Sequence, residues 1–321
     1  MSENILTVKD LKTYFYTASG IAKAVDGVSF NIAKGETMGI VGESGSGKSV
    51  TSSSIIRLLP PRTGKIVGGS IEFEGKDVLA LSKTELNDFR GKDIAVIFQD
   101  PMTSLDPVFK IGKQMTEMIM AHQNVTKDEA WKMSVEALSK VGIPEPEKRM
   151  NSYPYELSGG MCQRVIIAMA VCCKPKLIIA DEPTTALDVT VQAQVLELLK
   201  ELQRDMDTAI LLITHNLGVV WEMCDKVMVM YAGNTVEFTD TKTLYSNPRH
   251  PYTWGLLDSM PKLSDESKGE LKTIPGTPPD LRLTGKCCNF YNRCPYVTEA
   301  CTQSVPLPLC DGGLRPIHAA V

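Results

Sequence analysis

Five short runs in the first 240 residues have unbroken apolar interiors: TMGIVG (Thr37–Gly42), IAVIF (Ile94–Phe98), LIIAD (Leu177–Asp181), AILLIT (Ala209–Thr214) and KVMVMY (Lys226–Tyr231). Unbroken apolar character, without in–out alternation, predicts strands buried on both faces, as in a parallel sheet covered by helices on each side. Helical patterns fill the intervals. SKTELNDFRG places Ser82 and Glu85 at capping-box spacing with Gly91 as a stop, and TKDEAWKMSVEALSKVG repeats the device with Thr126, Glu129 and Gly142. In the second of these, Trp131, Val135, Leu138 and Val141 are expected on one face. Helical character dominates from about residue 105 to 173, which predicts a helical subdomain inserted into the α/β core. After residue 240 the chain becomes Pro-rich and aperiodic (PRHPYT, IPGTPPDL, VPLPL), so the expected domains are 1–240 and 241–321.

Composition adds a class and a compartment. Hydrophobic content of 43% and charged content of 22% are those of a soluble globular protein. A net charge of −4 argues against a general nucleic-acid binder, and no nucleic-acid partner is expected. MSENILTVKD lacks a basic segment followed by an apolar one, and the longest apolar run, VIIAMAVCC (Val165–Cys173), falls short of the ~20 residues of a membrane span. A cytosolic setting is expected, where thiols stay reduced and a disulfide staple is the weakest reading of the nine cysteines.

GESGSGKS, Gly42–Ser49, matches G-x-x-x-x-G-K-[ST] between an apolar strand and a helical stretch, SVTSSSIIRLL. Glycines let successive backbone N–H groups turn inward around phosphate oxygens, and the following helix adds its positive end. Lys48 suits the β and γ phosphates and Ser49 suits Mg²⁺. LIIADE sets Asp181 and Glu182 at the end of an apolar strand, where adjacent carboxylates are costly without a cation or a reacting water. Asp181 fits a Mg²⁺ role and Glu182 a general base.

LSGGMCQR (Leu157–Arg164) completes a set with the phosphate loop, FQDP around Gln99, DEP, TALD (Thr185–Asp188) and THN at His215. In this order the motifs resemble the ATP-binding cassette (ABC) ATPases. The resemblance implies a P-loop α/β core with a mixed β-sheet, an antiparallel β-subdomain, an inserted helical subdomain and a small irregular C-terminal extension. It also implies that ATP is bound by Phe15 (Tyr14 and Tyr16 being near alternatives), Gly42, Ser44, Gly45, Ser46, Gly47, Lys48, Ser49 and Val50. Mg²⁺ falls to Ser49, Gln99 and Asp181, and catalysis to Glu182, His215, Gln99 and Lys48. Ser158, Gly159, Gly160 and Gln163 would act on the ATP of an opposing subunit, and Asp188 would communicate across the dimer. Cys162, at a signature position more often polar or basic, reads as a small buried hydrophobe.

QDPMTSLDPVFKIGKQM, NPRHPYTWGLL and IPGTPPDL resemble one branch, the dipeptide, oligopeptide and nickel importers. That branch implies two integral-membrane permease subunits, a homologous ATPase subunit (as heterodimer or homodimer), an extracytoplasmic substrate-binding protein reached indirectly, and a peripheral position on the cytoplasmic face of the membrane. A peptide is the expected solute; a nickel or metal-chelate importer and a non-transport ABC ATPase are the alternatives. The branch also shows C-x-F-x-x-R-C, matched here by Cys288, Phe290, Arg293 and Cys294, with Cys301 and Cys310 following. This pattern implies a [4Fe–4S] cluster on Cys288, Cys294, Cys301 and Cys310, with Cys287 an alternative first ligand and zinc an alternative metal.

Overall fold

The computed structural model describes residues 3–185, 187–260, 273–285 and 287–303, and the backbone of Leu309–Cys310. The chain forms two compact units that interleave in sequence: residues 1–5, 33–36 and 80–212, and residues 6–32, 37–79 and 213–321.

The first unit carries the strands Ile94–Ile97 and Leu177–Asp181, parallel from Ile94 opposite Leu177 to Ile97 opposite Ala180, with residues 209–212 of the strand Ala209–Thr214 flanking the latter. Every residue from Leu177 to Ala180 and from Ala209 to Thr214 is buried, as unbroken apolar runs require. The expected helical region contains Pro101–Ser104, Ile111–His122, Lys127–Lys140, Pro146–Arg149 and Gly159–Val171. Both capping boxes form. Ser82 Oγ accepts from Glu85 N and Glu85 Oε2 from Ser82 N, and Thr126 with Glu129 does the same.

The buried face of Lys127–Lys140 differs from the expected one. Leu138 and Val141 are buried as expected, but Ala130, Ser134 and Ala137 complete the face and leave Trp131 and Val135 half-buried. Small side chains let the neighbouring helix approach, and Trp131 is carried to the edge, where its ring occupies the space above Gly112. A Cβ on Gly112 would lie 2.8 Å from that ring.

The second unit holds, apart from Asn4, Ile5 and Ala33, an antiparallel sheet in the order Gly20–Ala33, Asn4–Thr17, Gly64–Phe73, Lys76–Asp77. It also holds a mixed sheet segment, in which Lys226–Tyr231 pairs in parallel with Thr37–Val41 and antiparallel with Asn234–Asp240. Leu309–Cys310 adds a short parallel edge to Asn234–Asp240. Beyond residue 240 come the helices Thr241–Ser246 and Pro251–Asp258, and then turns that include residues 287–294. Glu237, buried in the mixed sheet, anchors the second helix. Its carboxylate accepts from the N–H groups of Arg249 (2.9 Å) and His250 (3.0 Å) and from Thr253 Oγ1 (2.6 Å).

Candidate functional site

In the second unit, GESGSGKS leaves the strand Thr37–Val41 and enters the helix Lys48–Ile55. Two of its glycines are obligatory. Gly42 has φ +152° and Gly47 φ +105°, and a Cβ would sit 2.2 Å from Met230 O at the first and 2.3 Å from Ala24 O at the second. Lys48 is buried, with Nζ donating to Gly42 O at 2.7 Å and Glu43 O at 3.0 Å, so its charge is folded back into the loop. Ser46 Oγ is buried and has no hydrogen-bond partner among the described residues, a donor that a phosphate oxygen would satisfy. Ser44, Gly45 and Ser49 face solvent, and Val50 is half-buried.

Phe15 is half-buried opposite Gly64, its ring edge 3.1 Å from where a Gly64 Cβ would stand. Tyr14 is already committed, donating to Asp26 Oδ1 at 2.7 Å; burial and that carboxylate push its pKa up to about 12. Tyr16 is exposed under Lys65 Nζ. His215 is exposed just beyond the strand Ala209–Thr214, which excludes a role as a core histidine.

In the first unit, Glu182 follows the strand Leu177–Asp181 with φ +49°, a left-handed conformation that a β-carbon-bearing residue adopts only when its surroundings hold it there. Its Oε2 accepts from Gln99 Nε2 and from Thr185 Oγ1, each at 2.9 Å, and its carbonyl accepts from Thr185 N at 3.1 Å. The structure thus brings Gln99 and Glu182 together and adds Thr185, which the sequence reading names only as part of TALD. The signal lay in its spacing, three residues beyond the glutamate in a tight turn. Asp181 is half-buried at the strand's end. Ser49 in the second unit, and Gln99 and Asp181 in the first, each carry an oxygen of the kind a hard cation such as Mg²⁺ takes.

Ser158 caps the helix Gly159–Val171, its Oγ accepting from Met161 N at 3.3 Å. Space in front of Gly159 is open, whereas a Cβ on Gly160 would meet Val191 Cγ1 at 2.8 Å. Gln163 is only 1% exposed, and its amide atoms have no hydrogen-bond partner among the described residues, whereas Ser158 and Gly159 ahead of it are exposed. Cys162 is fully buried, its thiol donating to Pro154 O at 3.5 Å and its pKa raised by burial, as a small hydrophobe's would be. Asp188 is exposed and caps the helix Val189–Met206 through Val191 N at 3.0 Å.

The cysteine extension departs from expectation. Cys288 and Cys301 are buried and joined by a backbone bond from Cys288 N to Cys301 O of 3.0 Å. Burial pushes the Cys288 thiol up to about 11, with the thiols of Cys301, Cys294 and Cys287 adding to the shift, so these sulfurs sense one another. Yet among the described residues no three His, Cys, Asp or Glu side chains come together as a metal-holding group. Cys301 Sγ instead accepts from Thr298 N at 3.2 Å. The side chain of Cys310 lies outside the described residues. The described thiols therefore do not form the ligand set of the expected cluster, and no step of the chemistry is derived through one.

A family model described as "ABC transporter" matches residues 25–185, and one described as "Oligopeptide/dipeptide transporter, C-terminal region" matches residues 236–301. The chain is 54% identical to the oligopeptide transport ATP-binding protein OppD of Bacillus subtilis over 94% of its own length and 84% of the relative's. It is 51% identical to the dipeptide transport ATP-binding protein DppD of the same organism, covering 95% of this chain and 90% of that one. Its fold matches a dimeric ATP-binding cassette, MJ0796, solved in a post-hydrolysis state with ADP and Pi, at a TM-score of 0.66 and 26% identity over 74% of this chain and 98% of that chain.

Proposed function

The chain belongs to the ABC transporter ATPases, and from that premise we propose that it is the ATP-hydrolysing subunit of a peptide importer. The observation that carries the chemistry is Glu182, fixed in a left-handed turn with two hydrogen bonds on one carboxylate oxygen. A carboxylate held this way is set to take a proton from an in-line water, and Gln99 beside it is set to orient that water. Lys48, the loop N–H groups from Gly42 to Val50 and the Ser46 hydroxyl take the phosphates. Phe15 takes the adenine, and His215 contacts the γ-phosphate. Ser49, Gln99 and Asp181 hold Mg²⁺, which supplies charge neutralisation at the phosphates.

A second cassette, a homologous subunit or another copy, would place its Ser158, Gly159 and Gly160 against the γ-phosphate. Asp188 would carry the state of one site to the other, and hydrolysis would open the pair. Among the described residues no helix is long and apolar enough to cross a membrane. The work of import would therefore pass to two permease subunits served by an external binding protein, with this chain peripheral on the cytoplasmic face. Peptide as the solute is supported by the match at residues 236–301 and by the relatives' names.

The test is reconstitution with the permease subunits in proteoliposomes. ATP-driven uptake of a labelled oligopeptide is expected; uptake of nickel alone, or no co-purification with membrane subunits, would overturn the reading. Against the [4Fe–4S] cluster implied by the cysteine motif stands the finding that, among the described residues, no three metal-ligating side chains come together. Iron and sulfide assays on anaerobically purified protein test for the cluster, and stoichiometric zinc without iron would refute it.

A further inference from the structure

Two residues of the cysteine motif pack inward: Phe290 onto an aromatic cluster, and Arg293 onto the phosphate loop. Phe290 is 2% exposed and sits edge-on to Tyr231, with ring centroids 5.2 Å apart, and against Tyr252 at 5.4 Å. The Arg293 side chain is only 6% exposed. Its Nη1 donates to Glu43 Oε2 at 2.7 Å and its Nη2 to Glu43 Oε1 at 3.1 Å, a two-pronged pair. The same guanidinium also donates from Nε to Pro275 O (2.9 Å), from Nη2 to Ile274 O (3.2 Å) and from Nη1 to Tyr231 Oη (3.3 Å).

Glu43 is the second residue of GESGSGKS. Its N–H donates to Tyr252 Oη at 2.9 Å and its carbonyl accepts from Lys48 Nζ at 3.0 Å. Three handles of one loop residue are thus held at once: the side chain by Arg293, the amide by Tyr252, and the carbonyl by the phosphate-binding lysine. A loop with glycines in left-handed conformations loses much backbone freedom on ordering, so fixing it from outside favours the binding-ready form.

We propose that Arg293 is a positioning residue of the nucleotide site: by clamping Glu43 it holds the phosphate loop and the carbonyl against which Lys48 is set. The C-terminal extension would then form a supporting wall of the ATP site and tune its affinity. This rests on the reading of Gly42–Ser49 as that site. Tail docking as mere structure would affect folding; a clamp on the loop shows itself in ATP affinity, and only through Glu43.

The test uses the full chain, with equilibrium binding of a fluorescent ATP analogue and steady-state hydrolysis of MgATP. Arg293→Met is expected to raise Kd and KM by about 10-fold, mid-range for contacting residues, with kcat changed far less. Arg293→Lys, which keeps the charge but only part of the fork, should recover part of the loss. Glu43→Gln should weaken binding in the same direction, and the double variant should be no worse than Arg293→Met. Effects of the two single changes that multiply in the double variant, or an unchanged Kd in folded Arg293→Met, would overturn the clamp. If Arg293→Met fails to fold, Glu43→Gln carries the decision, and an unchanged Kd there refutes the proposal. Lys48→Ala is the control for the underlying reading: loss of ATP binding there with Arg293→Met unaffected sinks only the clamp, whereas undiminished binding sinks the ATP site itself and the clamp with it.

Discussion

Glu182→Gln separates the basicity of the glutamate from its position. Glu182 Oε2 accepts from Gln99 Nε2 and Thr185 Oγ1, both at 2.9 Å. A glutamine carbonyl oxygen can accept the same two bonds, so the side chain keeps its place while its affinity for a proton is lost. A positioned general base contributes ~10²–10⁴ in rate, or about 2.7–5.4 kcal/mol of barrier. Phosphate release at saturating MgATP should therefore fall at least ~100-fold. ATP affinity should barely move, because the loop around Lys48 is untouched, and the variant should accumulate as an ATP-bound dimer on size-exclusion chromatography. Thr185→Val is the paired measurement. It removes one of the two bonds but leaves a carboxylate, so the expected loss is about 5- to 10-fold, the worth of one hydrogen bond of about 1 kcal/mol. Residual turnover above roughly a tenth of the parent's in Glu182→Gln would refute the base assignment, since even the weakest positioned base does more than that. A Thr185→Val loss larger than that of Glu182→Gln would refute it equally.

Gly159→Ala should leave the melting temperature unchanged, because open space faces that position, while lowering ATPase activity through the signature surface. Gly160→Ala should destabilise by roughly 1–3 kcal/mol through its clash with Val191, and Val191→Ala should restore the loss; thermal melts of the three proteins check both statements. Gly47→Ala combines a positive φ with a Cβ 2.3 Å from Ala24 O, so ATP binding measured by equilibrium fluorescence should be lost. His122 titrates below the ordinary histidine range because burial disfavours its charge, with Lys92 adding to this, and its Nδ1 is buried without a partner among the described residues. A group whose charged form is disfavoured in the fold stabilises above its unfolded pKa and loses that contribution as pH falls through the folded value. Denaturant titrations from pH 7 down to pH 5 should therefore show a stability loss that is smaller in His122→Gln; an identical slope in the two proteins would refute the assignment.

The sequence was most readable where burial on both faces leaves no polar residue to blur the pattern. LIIAD, AILLIT and KVMVMY coincide with strands residue for residue. The antiparallel sheet was opaque for the opposite reason. In Asn4–Thr17, Leu6 and Val8 point inward and Lys9 and Asp10 outward, but the register shifts at Lys9–Lys12 and at Lys12–Thr13, and Asp10 takes φ +46°. Each irregularity resets the period of two before an alternation long enough to recognise has accumulated. The helix Lys127–Lys140 was placed correctly by its capping box, but its face was read from its largest apolar residues. Packing instead chose Ala130, Ser134 and Ala137, because close helix approach rewards small side chains over Trp131.

The same distinction decides how much of the site a motif can reveal. G-x-x-x-x-G-K-[ST] specifies positions whose chemistry is local: a glycine where Met230 O or Ala24 O leaves no room for a Cβ, and a lysine for the phosphates. Its x positions carry no such demand, and Glu43 occupies one of them. Glu43 acquires a task only from Arg293, 250 residues further along the chain, and from Tyr252. In the extension the cysteines carry the sequence-based expectation because thiols have distinctive chemistry, while Phe290 and Arg293 between them are matched as motif positions with no stated task. The fold inverts that weighting: the described thiols hold no metal-ready group, and the two intervening residues reach the aromatic cluster and the phosphate loop. A local motif thus names the atoms that meet the nucleotide, and the tertiary partners of its unspecified positions determine how firmly those atoms are held.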